Sequence, residues 1–173
     1  GLGNKFLSHI REVDAIIHMI RCFDSDDIQN VNPTVDPVRD LEIIETEMKL
    51  ADLQSIQKRI DKKNKKNVDN EELQLLEAAQ KIIDEDGDLT LITNKFDEKL
   101  LKNSGLLSTK PKLYVCNVDE GSIKSGNKYT EDFIKKFDEK NTLVISADIE
   151  NQINQLEDEN EKKNYMKMIN MPE

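Results

Sequence analysis

The hydrophobic pattern changes its period twice along the chain, and this constrains the fold more than any other feature. Residues Ala15-Ile16-Ile17-His18-Met19-Ile20-Arg21-Cys22-Phe23 form a short, nearly continuous apolar run with β-branched side chains. Such a run predicts a parallel-type strand buried on both faces. Downstream, Leu41, Ile44, Met48, Ala51, Leu53, Ile56 and Ile60 keep a helical spacing, which predicts one long amphipathic helix. Its start is marked by Asp36 as N-cap and Pro37 at the first helical position, where a missing N–H costs nothing. A second stripe, Leu73, Leu76, Ala79 and Ile83, follows a polar Lys62-Lys63-Asn64-Lys65-Lys66-Asn67 link and runs toward Asp86-Gly87. Two amphipathic stretches joined by a short polar link predict an antiparallel helical hairpin.

Around this hairpin the pattern is that of alternating helices and strands. Phe6, Leu7 and Ile10 predict a short helix over 4–13. A loop through Asp26, Asn30, Asn32 and Pro33 precedes Asp36. Strands are predicted at Lys112–Asn117 and at Thr142–Ser146. A helix over 130–137 turns Phe133, Ile134 and Phe137 inward, and a helical stretch from Asp148 carries Ile153, Leu156, Tyr165, Met166 and Ile169. This order implies an α/β fold with a thin parallel sheet.

Composition excludes several function classes. Lys plus Arg is 25 against Asp plus Glu 35, a net charge of -10, which disfavours a protein that coats nucleic acid uniformly. No apolar run approaches the ~20 residues that span a bilayer, so no membrane partner is expected. Cys22 and Cys116 are too few for a disulfide framework, and with His9 and His18 they lack metal-ligand spacing. His9 reads as a surface histidine and His18 as a core one. The chain opens Gly1-Leu2-Gly3-Asn4 without an initiator Met, so it is expected to be processed or a piece of something longer.

The informative residues sit at two predicted strand ends, where open α/β sheets bind ligands. Asn117-Val118-Asp119-Glu120 closes one strand and Ser146-Ala147 the next. Taken singly, Asn117 is a turn former, Glu120 a solvated loop acid, Ser146 a helix-start residue and Cys116 a buried thiol. Taken together, their order and spacing resemble the fourth and fifth nucleotide-binding motifs of a Ras-like G domain. The usual Asn-Lys-x-Asp reads Asn-x-x-Glu here, just after a helical hairpin, and in this the chain resembles the YchF/Obg-like ATPase family. The opening Gly1 to Leu7, Ile20-Arg21-Cys22-Phe23, Val35-Asp36-Pro37 through Glu47, Lys110-Pro111, and Asp148 through Leu156 are similar to that family too.

The resemblance implies the back half of a Ras-like P-loop G domain, a parallel sheet with flanking helices and an inserted antiparallel coiled-coil hairpin. The implied division is 1–37 as G-domain part with the switch II helix, 38–105 as hairpin, and 106–173 as the part with the base-specificity motifs. No Gly-x-x-x-x-Gly-Lys-Ser/Thr run occurs in the sequence. By resemblance, the phosphate loop, the Mg²⁺ ligands and the catalytic residues are expected upstream, and a TGS domain downstream. The chain alone is thus expected neither to hydrolyse nor tightly to bind ATP. Its strand at 15–23 is expected to expose an edge that favours self-association.

Base chemistry fits an adenine reader. The Asp of Asn-Lys-x-Asp accepts from guanine N1–H and the 2-amino group, and adenine offers neither donor. The Asn117 amide can pair with adenine N7 and N6. Val118, in place of the lysine, becomes an apolar base contact, and Glu120 a loop organiser pointing toward the loop backbone. Ser146 and Ala147 form the second wall. The Ala147 N–H would meet the adenine amino group donor to donor, so a shifted loop or a water is expected there.

The hairpin holds a second candidate site. Lys58, Arg59, Lys62, Lys63, Lys65 and Lys66 face a single acid, Asp61, within nine residues. Cations projected from a helical tip can reach RNA phosphates, and lysines that merely keep a tip solvated are an equal reading. The resemblance implies a cytoplasmic, ribosome-associated ATPase that uses ATP and Mg²⁺ and regulates translation or stress responses by nucleotide-dependent switching. Two other readings stay open: a non-enzymatic hairpin that binds RNA or protein, and a GTP-specific Obg-type GTPase.

Overall fold

The computed structural model describes residues 3–25, 34–66, 70–137 and 139–168. The predicted loop residues Asp26, Asn30, Asn32 and Pro33, the link residue Asn67 and the helical Ile169 lie outside them. In chain order the elements are α1 (Asn4–Glu12), β1 (Ile16–Arg21), α2 (Pro37–Asn64), α3 (Glu71–Asp84), a 3₁₀ turn (Leu89–Ile92) and α4 (Glu98–Ser104). They continue with β2 (Lys112–Asn117), a 3₁₀ turn (Glu120–Ser122), α5 (Lys128–Lys136), β3 (Thr142–Ile145), α6 (Ala147–Gln155) and α7 (Glu159–Met168). The chain divides into two compact units, Gly1–Ile16 with Arg39–Lys112, and Ile17–Val38 with Leu113–Glu173.

The first unit is built on the antiparallel pair α2 and α3. Gln80 Nε2 donates to Gln57 Oε1 at 2.8 Å, and Lys63 pairs with Glu72 at 2.7 Å, so the later part of α2 runs alongside α3. Ile56, Ile60, Leu73, Leu75, Leu76 and Ala79 bury the shared stripe, and Leu89, Ile92 and Leu106 close it. The closing elements, the first 3₁₀ turn and α4, were not predicted. Asn70 caps α3 by accepting from the Leu73 N–H, and Asp97 caps α4 by accepting from Lys99 and Leu100 N–H, satisfying donors that a helix start leaves open. α3 ends at Asp84, and the positive φ of 54° falls on Asp86. Gly87 is needed for a different reason: a Cβ there would stand 2.9 Å from the Ile82 Cγ2.

Two buried charges fix the root of this unit. Asp52 of α2 is fully buried and accepts from the backbone N–H of Leu107 and Ser108, both at 2.8 Å. Burial pushes its carboxyl above 3.8, and the two N–H donors pull the other way. Lys110 Nζ donates to the carbonyls of Arg11 at 3.1 Å and Val13 at 2.6 Å. It therefore ties down the end of α1, which buries no side chain of its own. Burial is the main cause that lowers the Lys110 pKa from 10.5.

The second unit carries the sheet, in the order β1-β2-β3. β2 and β3 are parallel, with Tyr114 opposite Thr142 and Asn117 opposite Ile145. Just after β1, Cys22 N–H donates to the Asn117 carbonyl at 2.8 Å. One face is packed by an aromatic set: His18 stacks on Tyr114, Phe133 of α5 meets Tyr114 edge-on, and Phe137 lies against both. β1 departs from the prediction of burial on both faces. His18 and Ile20 are buried, but Ile17 is 66% and Met19 62% exposed. The physical reason is position: among the described residues β1 is an edge of the sheet, covered on its aromatic face alone. The helical stretch from Asp148 also divides, α6 ending at Gln155 and Leu156 taking extended backbone before α7 begins.

Candidate functional site

Asparagine side chains tie the C-terminal ends of β1 and β2 to the starts of α5 and α6. Asn127 caps α5 in a reciprocal box with Thr130, and its Nδ2 donates to the Cys22 carbonyl at 2.7 Å. Asn117, the last residue of β2, accepts at Oδ1 from the Ala147 N–H at 2.9 Å. That N–H is one of the donors the start of α6 leaves unpaired, so Asn117 caps α6 from a neighbouring strand. The backbone follows the same line, with Val118 N–H donating to the Ile145 carbonyl at 2.9 Å. The loop after β2 and the start of α6 are thus one structure.

This geometry changes the reading of several predicted site residues. The Ala147 N–H, expected to face a base donor to donor, already has its acceptor in Asn117. The bond to Ala147 uses neither the Nδ2 donors of Asn117 nor the second lone pair of its Oδ1. Glu120 is exposed and accepts from the Gln152 side chain of α6 at 2.5 Å, rather than turning to the loop backbone. Asp119 accepts from the Ser122 hydroxyl at 2.7 Å. Val118 is only 2% exposed, so it packs beneath the loop and presents no apolar surface to a base in this structure. Ser146 is fully buried with no hydrogen-bond partner for its Oγ among the described residues, and Ala147 is exposed. Of the two residues expected to form the second wall, only Ala147 is thus at the surface.

Under this loop, Cys22 and Cys116 are both buried free thiols. The hydrogen bond between them and then burial push the Cys22 thiol up. His18 is buried and His9 exposed, as expected. Among the described residues no group of three or more His, Cys, Asp or Glu is placed to hold a metal. No described helix is long and apolar enough to cross a membrane.

The basic tip is not six equivalent cations. Arg59 donates to the Ser104 carbonyl at 2.6 Å and forms an ion pair with Glu72, which Lys63 joins. The hydrogen bonds from Lys63 and then Arg59 hold the Glu72 carboxyl below 4.5. Lys58, Lys62, Lys65 and Lys66 stand exposed. Sequence reasoning had no means of dividing the set, because Glu72 lies beyond the polar link.

Comparisons with known proteins agree with the fold. No family model matches the chain. It is 37% identical over its full length to the ribosome-binding ATPase YchF of Haemophilus ducreyi, covering 49% of that protein. It is 36% identical to the ribosome-binding ATPase YchF of Bacillus subtilis, covering all of this chain and 50% of the relative. The solved structure of the Schizosaccharomyces pombe YchF GTPase matches 99% of this chain and 50% of its own, with a TM-score of 0.71 and 29% identity. The chain thus spans about half the length of the curated relatives it matches.

Proposed function

We propose, for a chain that is homologous along its whole length to half of the YchF proteins, that it supplies the base-reading loops and the helical arm of a ribosome-associated ATPase. The observation that carries this reading is the Asn117–Ala147 hydrogen bond. It joins two loops at the C-terminal ends of the strands, where open α/β sheets take nucleotides. An adenine meets the Asn117 amide there, with Ala147 as the neighbouring wall. Guanine loses twice: the Ala147 N–H that would serve O6 is occupied, and Glu120 is engaged with Gln152. Val118 supports the loop from below.

The phosphates and Mg²⁺ are held, in this reading, by the parts of the relatives that this chain does not match. ATP and Mg²⁺ are the cofactors, and hydrolysis to ADP and phosphate belongs to the whole protein. The hairpin, 38–105, is the arm that meets ribosomal RNA, through Lys58, Lys62, Lys65 and Lys66. Arg59 and Lys63 organise it through Glu72. The partner being the ribosome, the place of action is the cytoplasm, in translation or the stress response. The solved relative is named a GTPase, which makes GTP the competing reading. Competition of ATP against GTP on the full-length natural protein decides between them: tighter ATP supports the proposal, and tighter GTP overturns it.

A further inference from the structure

A chain of side chains in the second unit leads from α7 to the loop after β2. Tyr165 Oη donates to Gln152 Oε1, and Gln152 Nε2 donates to Glu120 Oε1. The direction of this relay is dictated by chemistry. An ionised carboxylate only accepts, so Gln152 must turn its amide NH₂ toward Glu120 and its carbonyl oxygen toward the Tyr165 hydroxyl. Tyr165 and Gln152 are half-buried and Glu120 is exposed, so the anchored end of the relay is the helical one. The carboxylate is the end being held.

We propose that Gln152 and Tyr165 are positioning residues that set base specificity by holding the Glu120 carboxylate on α6. The inference rests on the reading of Asn117–Glu120 as the base loop. Guanine presents two adjacent donors, N1–H and the 2-amino group, and the best acceptor for such a pair is a carboxylate with both oxygens free. Adenine presents an acceptor at N1 and has no 2-amino group, so a free carboxylate there gains nothing. Held on α6 through Oε1, the carboxylate is kept from swinging onto the guanine edge with both oxygens, which disfavours guanine and leaves adenine untouched. Tyr165 acts at one remove, by keeping the amide from flipping. The constraint consists of hydrogen bonds among partly exposed groups, each modest in net free energy.

The test is nucleotide competition on the full-length protein. Q152A is expected to raise GTP affinity relative to ATP by about three- to tenfold, the worth of one net hydrogen bond, with ATP affinity itself nearly unchanged. Y165F should move the ratio in the same direction by less. In an E120A background the Q152A gain should vanish, because no carboxylate remains to release. Q152L, which also removes the amide, is the second variant, and the melting temperature of each is measured alongside. An unchanged ratio in folded Q152A and Q152L overturns the proposal, and so does a gain that survives E120A. If N117A leaves both nucleotide affinities unchanged, the base-loop reading fails and the clamp fails with it. If N117A weakens ATP and the Gln152 variants leave the ratio unchanged, only the clamp is wrong.

Discussion

The two units hold their loops by opposite means. At the hairpin root, a carboxylate and an ammonium are taken out of water: Asp52 is 0% and Lys110 8% exposed, and each binds two backbone groups. At the C-terminal end of the sheet, the loops are held by Asn117 and Glu120 through single hydrogen bonds at the surface. A buried charge is costly to desolvate and costlier to leave unpaired, so it fixes one conformation. A surface hydrogen bond is worth little and exchanges readily with water or a ligand. The difference separates a part of the molecule fixed by buried charge from a part held at the surface, where the proposed base contacts lie.

The largest effect should come from breaking the buried side of this contrast. Asp52→Ala leaves the Leu107 and Ser108 N–H groups buried without an acceptor and should destabilise the protein by about 3 kcal/mol, read by chemical denaturation. Next, Asn127→Ala removes both the α5 cap and the tie to the Cys22 carbonyl, and should cost about 1–2 kcal/mol. Asn117→Ala should cost only about 1 kcal/mol of stability. Its main effect should be on ATP affinity in the full-length protein, about tenfold, by loss of the base contacts together with the orientation of Ala147.

Reversing charge at Lys58, Lys62, Lys65 and Lys66 should shift stability by less than about 0.5 kcal/mol. It should flatten the salt dependence of ribosome or RNA binding by about one unit of slope per lost phosphate contact. An unchanged slope would remove the tip from the interface. The smallest effect is acid sensitivity at the same tip. Lys63 and Arg59 hold the Glu72 carboxyl below its usual 4.5. A depressed carboxyl contributes stability that is complete above pH 4.5 and is lost as the pH falls through the lower folded value. For a partly exposed pair this amounts to under about 1 kcal/mol, and Glu72→Gln should abolish it in a pH series of melts.

What was legible in the sequence was whatever periodicity encodes. β2 was predicted at its observed bounds, β3 ended one residue early, and the α2 and α3 stripes gave the core of the first unit. Two things were hidden. Periodicity reports apolar content rather than cover, so the apolar run of β1 could not reveal that Ile17 and Met19 face solvent. The other is pairing between distant side chains: nothing in the sequence joins Gln152 to Glu120, or Tyr165 to Gln152 across the break between α6 and α7. Asp52, by contrast, left a usable signal. It stands four residues after Met48 and four before Ile56, on the apolar stripe itself, where a carboxylate needs buried donors. For the candidate site, the ordered motifs placed Asn117, Glu120, Ser146 and Ala147 together, whereas the burial of Val118 required the structure.

The central claim is that the loops 117–120 and 146–147 meet the nucleotide base, and cross-linking tests it most directly. Full-length protein is photolabelled with an azido-adenine nucleotide, and the modified peptides are mapped by mass spectrometry. Label is expected on the segment after β2 or at the start of α6, displaced by ATP in preference to GTP and reduced by Asn117→Ala. Label confined to other segments, or displaced preferentially by GTP, would contradict it.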